Sequence, residues 1–348
     1  MPLASGPEYV APMSTVDAVV TGATGLLGAH IVRRLVQSGA RVRCLVRPTS
    51  ATARIQGPQV ELAQADLEDP AQLDALLKGA NVLYHFAGHL TAASPLNAHE
   101  DDSLYRLNVE STAALLEAAA QAGVRRFVYA SSVAVYSAEA VSPISEDSPC
   151  SPVAAYGRSK VTAEAAVMDY HRRGLAGTVI RPAICIGAWD RHFLPAARRV
   201  ARLPILPIVG GGRNLLDIVS ALDVAELAVT AASAPAGAGR VYNGGSGHPG
   251  SLAELITILH EVEGSPRPLI VPVSEGMMRF SAPVARRIVA LVAPGMEGTM
   301  STVGARYSAH DVYYDMSRAR AELGFTPQYD FRRGLERARE EELAAATT

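Results

Sequence analysis

Short β-branched runs alternate with stretches of helical period through the first half of the chain. Residues 16–21, VDAVVT, predict a strand. Leu27, Ile31 and Leu35 then recur on one helical side with Arg33 and Arg34 between them, and Ser38-Gly39 ends that helix. RVRCLV at 41–46, VELAQ at 60–64, NVLYHF at 81–86, RRFVYASS at 125–132 and GTVIRP at 177–182 predict five further strands. Helical patterns fill 103–121, with Leu104, Leu107, Leu115 and Leu116 as core candidates, and 157–173. Strands alternating with helices imply βαβ units, so the fold class is α/β, a doubly wound parallel sheet with right-handed crossovers. After about residue 185 the rhythm changes. Pro195, Pro204, Pro207 and Gly210–Gly212 cut the chain into short pieces, with helices predicted near 221–233, 251–263 and 331–345. The organisation expected is a flexible extension over 1–14, a doubly wound domain over 15–185, and a smaller α/β portion over 186–348. Some elements of that last portion should rejoin the first sheet.

Composition narrows the partners. Of 348 residues, 49% are hydrophobic, enough for a sizeable core. The net charge is -2, from 32 basic and 34 acidic residues, which argues against a general nucleic-acid binder. Cys44, Cys150 and Cys185 are widely spaced and form no CxxC pair. That pattern speaks against a disulfide framework and against a metal site, and for a reducing, cytoplasmic setting. The N-terminal stretch lacks the basic and apolar regions of a signal peptide. No apolar run reaches the roughly 18 residues that would suggest a membrane span.

The candidate chemistry begins at TGATGLLG, which sets Gly22, Gly25 and Gly28 three residues apart between the first strand and its helix. This is the context of a dinucleotide loop. Gly22 permits a tight turn, Gly25 a close approach of backbone to pyrophosphate, and Gly28 close helix–strand packing, while the helix N-terminus offers free N–H groups to phosphate. A structural βα turn would need glycines too. An acidic residue ending the second strand would grip a ribose 2′-hydroxyl; Arg47 stands there instead. A guanidinium suits a 2′-phosphate, so NADP(H) is favoured over NAD(H), with Arg43 and Arg54 as possible assistants. The alternative is a solvated arginine at a strand end. Further on, YGRSK puts Tyr156 and Lys160 on one helical side. A phenol with an ordinary pKa of about 10 is a poor acid–base group, and a nearby ammonium favours its phenolate.

The GxxGxxG turn, the strand running into two serines in FVYASSVAVYS, and YxxxK resemble, in order and spacing, the extended short-chain dehydrogenase/reductase family over about residues 16–335. The resemblance implies a Rossmann-type fold and a nicotinamide-dependent oxidoreductase. It implies that Thr24, Leu26 and Leu27 line the glycine turn, that Asp66 and Leu67 contact the adenine, and that Ala87 and Gly88, in HFAG, lie beside the adenosine. His85 of the same stretch is left unassigned. Ser132 would polarise the substrate carbonyl, with Ser131 as fallback, Tyr156 would exchange a proton, and Lys160 would also bind the nicotinamide ribose. Asn108 matches the family's fourth catalytic residue, and Arg181-Pro182 the motif that leads into the nicotinamide and substrate pocket.

Two departures point away from a nucleotide sugar. Ile184 or Cys185 stands where epimerases and dehydratases commonly carry Asn, and Val133-Ala134-Val135 replaces a Thr-Asp-Glu. GGGRNLLDIVSALDVAELAV at 210–229 and HDVYYDMSRARAELGFTPQ at 310–328 resemble the 3β-hydroxysteroid dehydrogenase-like branch, which acts on apolar alcohols and ketones. Asp217 and Asp223 fall there and read best as caps and turn residues. The 276–295 stretch, with Met277, Met278, Phe280, Val284, Ile288 and Leu291 near helical spacing, reads as a lid, a helix on a membrane surface, or an ordinary core helix. The expected activity is therefore an NADP(H)-dependent ketoreductase or secondary-alcohol dehydrogenase on an apolar small molecule. A nucleotide-sugar epimerase or dehydratase using NAD, and a non-catalytic NAD(P) sensor, are the alternatives. Family resemblance also implies a homodimer through 103–121 and 157–173.

Overall fold

The computed structural model describes residues 16–89, 102–137, 139–152, 154–277 and 310–346. The extension over 1–14 and nearly all of the 276–295 stretch lie outside them. Seven strands form the main sheet: β1 (Val16–Thr21), β2 (Val42–Val46), β3 (Val60–Gln64), β4 (Ala80–His85), β5 (Arg126–Ala130), β6 (Ala176–Pro182) and β11 (Arg240–Gly244), in the spatial order β11-β6-β5-β4-β1-β2-β3. Every pairing is parallel. The six strands read from the β-branched runs are all present. The seventh comes from beyond residue 185, so the second half of the chain completes the first sheet.

Period-two alternation sends side chains to two cores. Val20, Tyr84, Val128 and Ile180 face one side, where α1 (Leu26–Gln37) packs against α7 (Ala221–Ser233). Val19, Leu83, Phe127, Tyr129 and Val179 face the other, beneath α2 (Leu73–Leu77), α4 (Ser111–Gln121) and α5 (Ala155–Arg172). The helical stretch at 103–121 is not one regular helix. A π-helical turn over Arg106–Glu110 separates a short α3 (Asp102–Tyr105) from α4. Such single turns recur at functional sites.

The later half holds short strands that hydrophobic patterning does not reveal. β7 (Ile184–Ile186) pairs with β10 (Ile218–Ser220), β8 (Ile205–Val209) with β13 (Leu269–Val273), and β9 (Leu215–Leu216) with β12 (Gly250–Ser251). Pro195 breaks nothing. It sits in the first turn of α6 (Phe193–Ala201), where its missing N–H would be unpaired in any case, and Asp190 accepts from the backbone N–H groups of His192, Phe193 and Leu194. α8 (Leu252–Glu263), α9 (Ser317–Leu323) and α10 (Phe331–Ala346) complete the described elements. No helix among the described residues is long and apolar enough to cross a membrane.

Candidate active site

The glycine turn closes as its spacing demands. Gly22 has φ of 68°, a left-handed conformation that favours glycine, and a Cβ there would lie 2.5 Å from the Phe86 carbonyl oxygen. A Cβ on Gly28 would lie 2.1 Å from the Gly22 carbonyl oxygen, so α1 can meet the turn only with glycine at this position. Gly25 is exposed at the N-cap of α1, with no capping side chain and no acidic residue in the first turn. Thr24, Leu26 and Leu27 are partly exposed around it. A helix start without its own anion is a ready phosphate site, so these residues fit a dinucleotide pyrophosphate. Gly28→Ala is expected to lower Tm and to weaken NADPH binding about fivefold or more, because crowding of this kind costs about 1–3 kcal/mol. Thermal unfolding and a fluorescence titration check this; a variant with the parental Tm and affinity would refute it.

On the adenosine side, Arg47 is exposed just past β2, and its backbone carbonyl and N–H both bond Ser50. Arg43 is no assistant to it. Its guanidinium is buried, paired with Glu61 at 2.8 Å, and donates to the carbonyls of Leu76 and Lys78, because a β2 side chain on this side points into the sheet's flank. Arg54 lies over the Trp189 ring, 5.4 Å from its centre. Asp66 is exposed, and Oδ1 accepts from the Glu68 N–H, while Leu67 turns into the core.

Tyr156 and Lys160 share one side of α5. Lys160 is 4% exposed; Nζ donates to the Ala130 carbonyl at 2.8 Å and lies 4.8 Å from the centre of the Tyr129 ring and 5.8 Å from that of Tyr156. Burial lowers the Lys160 pKa to about 8, opposed by the carboxylate of Glu164 one turn on. Tyr156 is partly exposed, yet enough protein surrounds its hydroxyl that burial raises it to about 12, against a hydrogen bond with Ser132 that lowers it. The Ser132 hydroxyl also accepts from the Ala134 N–H at 3.1 Å. The Cys185 thiol also acts to raise the Tyr156 pKa. So the sheet's C-terminal edge brings Ser132, Tyr156 and Lys160 together.

Ser131 is turned the other way. It is buried and donates to Glu164, which also holds Arg181 through Nε at 2.9 Å and Nη2 at 2.7 Å. This corrects the expectation for Arg181. Arg181 is 5% exposed, and its guanidinium is committed to Glu164 and the Glu146 carbonyl and faces the interior rather than a cofactor. Pro182, beside it, is buried in β6, paired with Gly244.

Asn108 sits in the π-helical turn, 1% exposed. Its amide oxygen accepts from the His89 N–H at 2.7 Å, and its amide nitrogen donates to the His89 carbonyl at 3.0 Å and to Ser159 Oγ at 3.1 Å. Ala87 is partly exposed and Gly88 exposed. A Cβ on Gly88 would lie 3.3 Å from both Asn108 Oδ1 and Lys160 Nζ, so this glycine roofs the pair. Asp217 and Asp223 lie elsewhere and brace backbone, accepting from Ser246 and Tyr314 and from Gln328 and Tyr329 respectively. Glu164 and Ser159 belong to no sequence motif; the four-residue step from Tyr156 through Lys160 to Glu164 is the signal in the sequence that points to Glu164.

The sequence profile of the NAD dependent epimerase/dehydratase family matches residues 18–245. Sterol demethylase protein B of Methylococcus capsulatus is 31% identical over 327 residues, 89% of this chain and 93% of that protein. The 4-hydroxy-2-methyl-3-oxo-4-farnesyl-3,4-dihydroquinoline-1-oxide ketoreductase of Stigmatella aurantiaca is 29% identical over 334 residues, 92% of this chain and 95% of that one. The structure of MoeE5 in complex with UDP-glucose and NAD superposes with a TM-score of 0.71 at 26% identity, covering 95% of this chain and all of that one. The chain is an NAD(P)-dependent enzyme of the extended short-chain dehydrogenase/reductase superfamily and belongs to the NAD dependent epimerase/dehydratase family.

Proposed function

We infer that the protein is an NADP(H)-dependent ketoreductase, or the corresponding secondary-alcohol dehydrogenase, acting on an apolar small molecule. The juxtaposition of Ser132, Tyr156 and Lys160 carries this reading. A nicotinamide bound at the glycine turn would supply or accept the hydride. Ser132 orients the substrate oxygen by hydrogen bonding, and Tyr156 gives that oxygen its proton. Lys160 keeps positive charge beside the phenol and favours the phenolate left behind.

The apolar substrate class is supported by Ile184 and Cys185, which are partly exposed at the position where nucleotide-sugar enzymes commonly carry Asn. The farnesyl-bearing substrate in one relative's name agrees with it. A screen of apolar ketones with NADPH tests the activity. The second reading, a nucleotide-sugar epimerase, draws on the UDP-glucose in the MoeE5 structure. It predicts turnover with no net change in NAD(P)H, whereas ketone reduction consumes one NADPH for each product.

NADP(H) preference rests on Arg47. Arg47→Asp is expected to weaken NADPH binding about tenfold to a hundredfold, the worth of a charged paired hydrogen bond, while leaving NADH binding within about threefold. Equal losses for both nicotinamides, or tighter NADH than NADPH binding by the unaltered enzyme, would remove the argument.

A further inference from the structure

His85 ends β4, is fully buried, and belongs to none of the roles above. Its two ring nitrogens join two threonines that are just as buried: Nδ1 lies 2.7 Å from Thr21 Oγ1, and Nε2 lies 2.9 Å from Thr112 Oγ1. With the ring proton on Nε2, both threonine hydroxyl protons find an acceptor. Thr112 Oγ1 donates to the Asn108 carbonyl, 2.9 Å away, and its oxygen accepts from the His85 Nε2–H. Nδ1 then accepts from the Thr21 hydroxyl, and the Thr21 oxygen accepts from the Ala87 N–H at 3.3 Å.

Both ends of this chain reach the candidate site. Thr21 precedes Gly22, the first glycine of the dinucleotide turn. Asn108 continues through its amide to Ser159, and Ser159 Oγ donates at 2.8 Å to the carbonyl of Tyr156. Every side chain from Thr21 through His85, Thr112 and Asn108 to Ser159 is at least nine-tenths buried. Water cannot substitute for a lost link without a rearrangement, and a half-satisfied buried network is costly.

We propose that His85 is a positioning residue: a neutral, Nε2-protonated imidazole that ties the dinucleotide turn to the π-helical turn bearing Asn108, and through it to the Tyr156–Lys160 helix. Its neutrality has a physical source. Burial, with the Lys160 ammonium adding to it, lowers the His85 pKa to about 3. The imidazole thus keeps one donor and one acceptor across the working pH range, which Thr21 on one side and Thr112 on the other require. A protonated ring would confront Thr21 with a donor and would place a second positive charge near Lys160.

The test compares His85→Phe, which keeps the ring shape and removes both bonds, with His85→Gln, whose amide N–H can still reach Thr112. In the full-length enzyme, ¹⁵N spectra of histidine should show His85 neutral with its proton on Nε2 from pH 5 to 8. His85→Phe should raise the NADPH dissociation constant about threefold to tenfold, as expected for a lost buried hydrogen bond. It should also lower kcat on a reducible ketone about tenfold with KM for the ketone nearly unchanged, and His85→Gln should recover most of both. Thr112→Val, which removes a hydroxyl at constant shape, should repeat the kcat loss and carries the decision if His85→Phe does not fold. The proposal is overturned by an Nδ1-protonated or charged ring, by a folded His85→Phe enzyme with parental binding and kcat, or by His85→Gln as impaired as His85→Phe. The inference rests on the nicotinamide site, while its kcat arm alone rests on ketone reduction. A wild-type enzyme that binds NADPH and reduces no ketone counts against the ketoreductase reading, and the relay is then decided by the spectra and the binding.

Discussion

Tyr156→Phe is expected to lower turnover about 10²–10⁴-fold, the usual worth of a positioned proton donor, while leaving NADPH affinity within about twofold. Only one oxygen is removed. Lys160 keeps its bond to the Ala130 carbonyl, and the glycine turn is untouched. Steady-state rates on any ketone found by screening, with a separate cofactor titration, measure the two quantities. Retained activity would sink the mechanism, and a parallel loss of NADPH binding would mean that Tyr156 holds the cofactor instead. The pH profile gives the same assignment a sign. Lys160 carries its positive charge below about pH 8 and loses it as pH rises through that value. In kcat/KM for the cofactor, which reports the free enzyme, activity should therefore fall on the alkaline side of about pH 8. The phenol, held near 12 before the cofactor binds, stays protonated across this range and can serve as an acid.

Much of this site is legible in the sequence itself. Strands of β-branched residues and the i, i+3, i+6 glycines are local signals, and local signals survive without tertiary information. That is why β1, α1 and the Gly22–Gly28 turn fall where patterning puts them. Tyr156 and Lys160 are legible for the same reason, since four residues make one helical turn. What stayed hidden depends on long-range contacts. Arg181 reads like a site arginine because its neighbours do, yet its charge is cancelled by Glu164, 17 residues earlier in the chain. Arg43 is taken by Glu61 across the β2–β3 pair. His85 looks like an isolated strand-end histidine until β1 and α4 bring Thr21 and Thr112 to its two nitrogens. The choice between Ser131 and Ser132 has the same origin. Adjacent residues leaving a strand face opposite ways, and only the position of Glu164 shows which hydroxyl is spent on structure.

That buried pair should dominate the stability of the region. Arg181→Leu is expected to destabilise the fold by about 3–5 kcal/mol at pH 8, because it strands the Glu164 carboxylate in the interior. Glu164→Leu should cost at least as much, and the two penalties should differ in their response to pH. A lone buried carboxyl can escape by taking up a proton, so the penalty of Arg181→Leu should be smaller at pH 5, where the proton is more readily available, than at pH 8. A guanidinium cannot shed its proton in any ordinary range, so the penalty of Glu164→Leu stays flat over the same pH range. Urea unfolding of both variants at pH 5 and pH 8, each relative to the parent at the same pH, separates the cases. A loss below about 1 kcal/mol in either variant would show that the pair is not buried as described. An identical pH response in both would show that Glu164 is not the group left unpaired. Since Ser131 donates to the same carboxylate, and Ser131 and Glu164 flank Ser132 and Lys160, partly folded Arg181→Leu enzyme should also lose kcat before it loses NADPH binding.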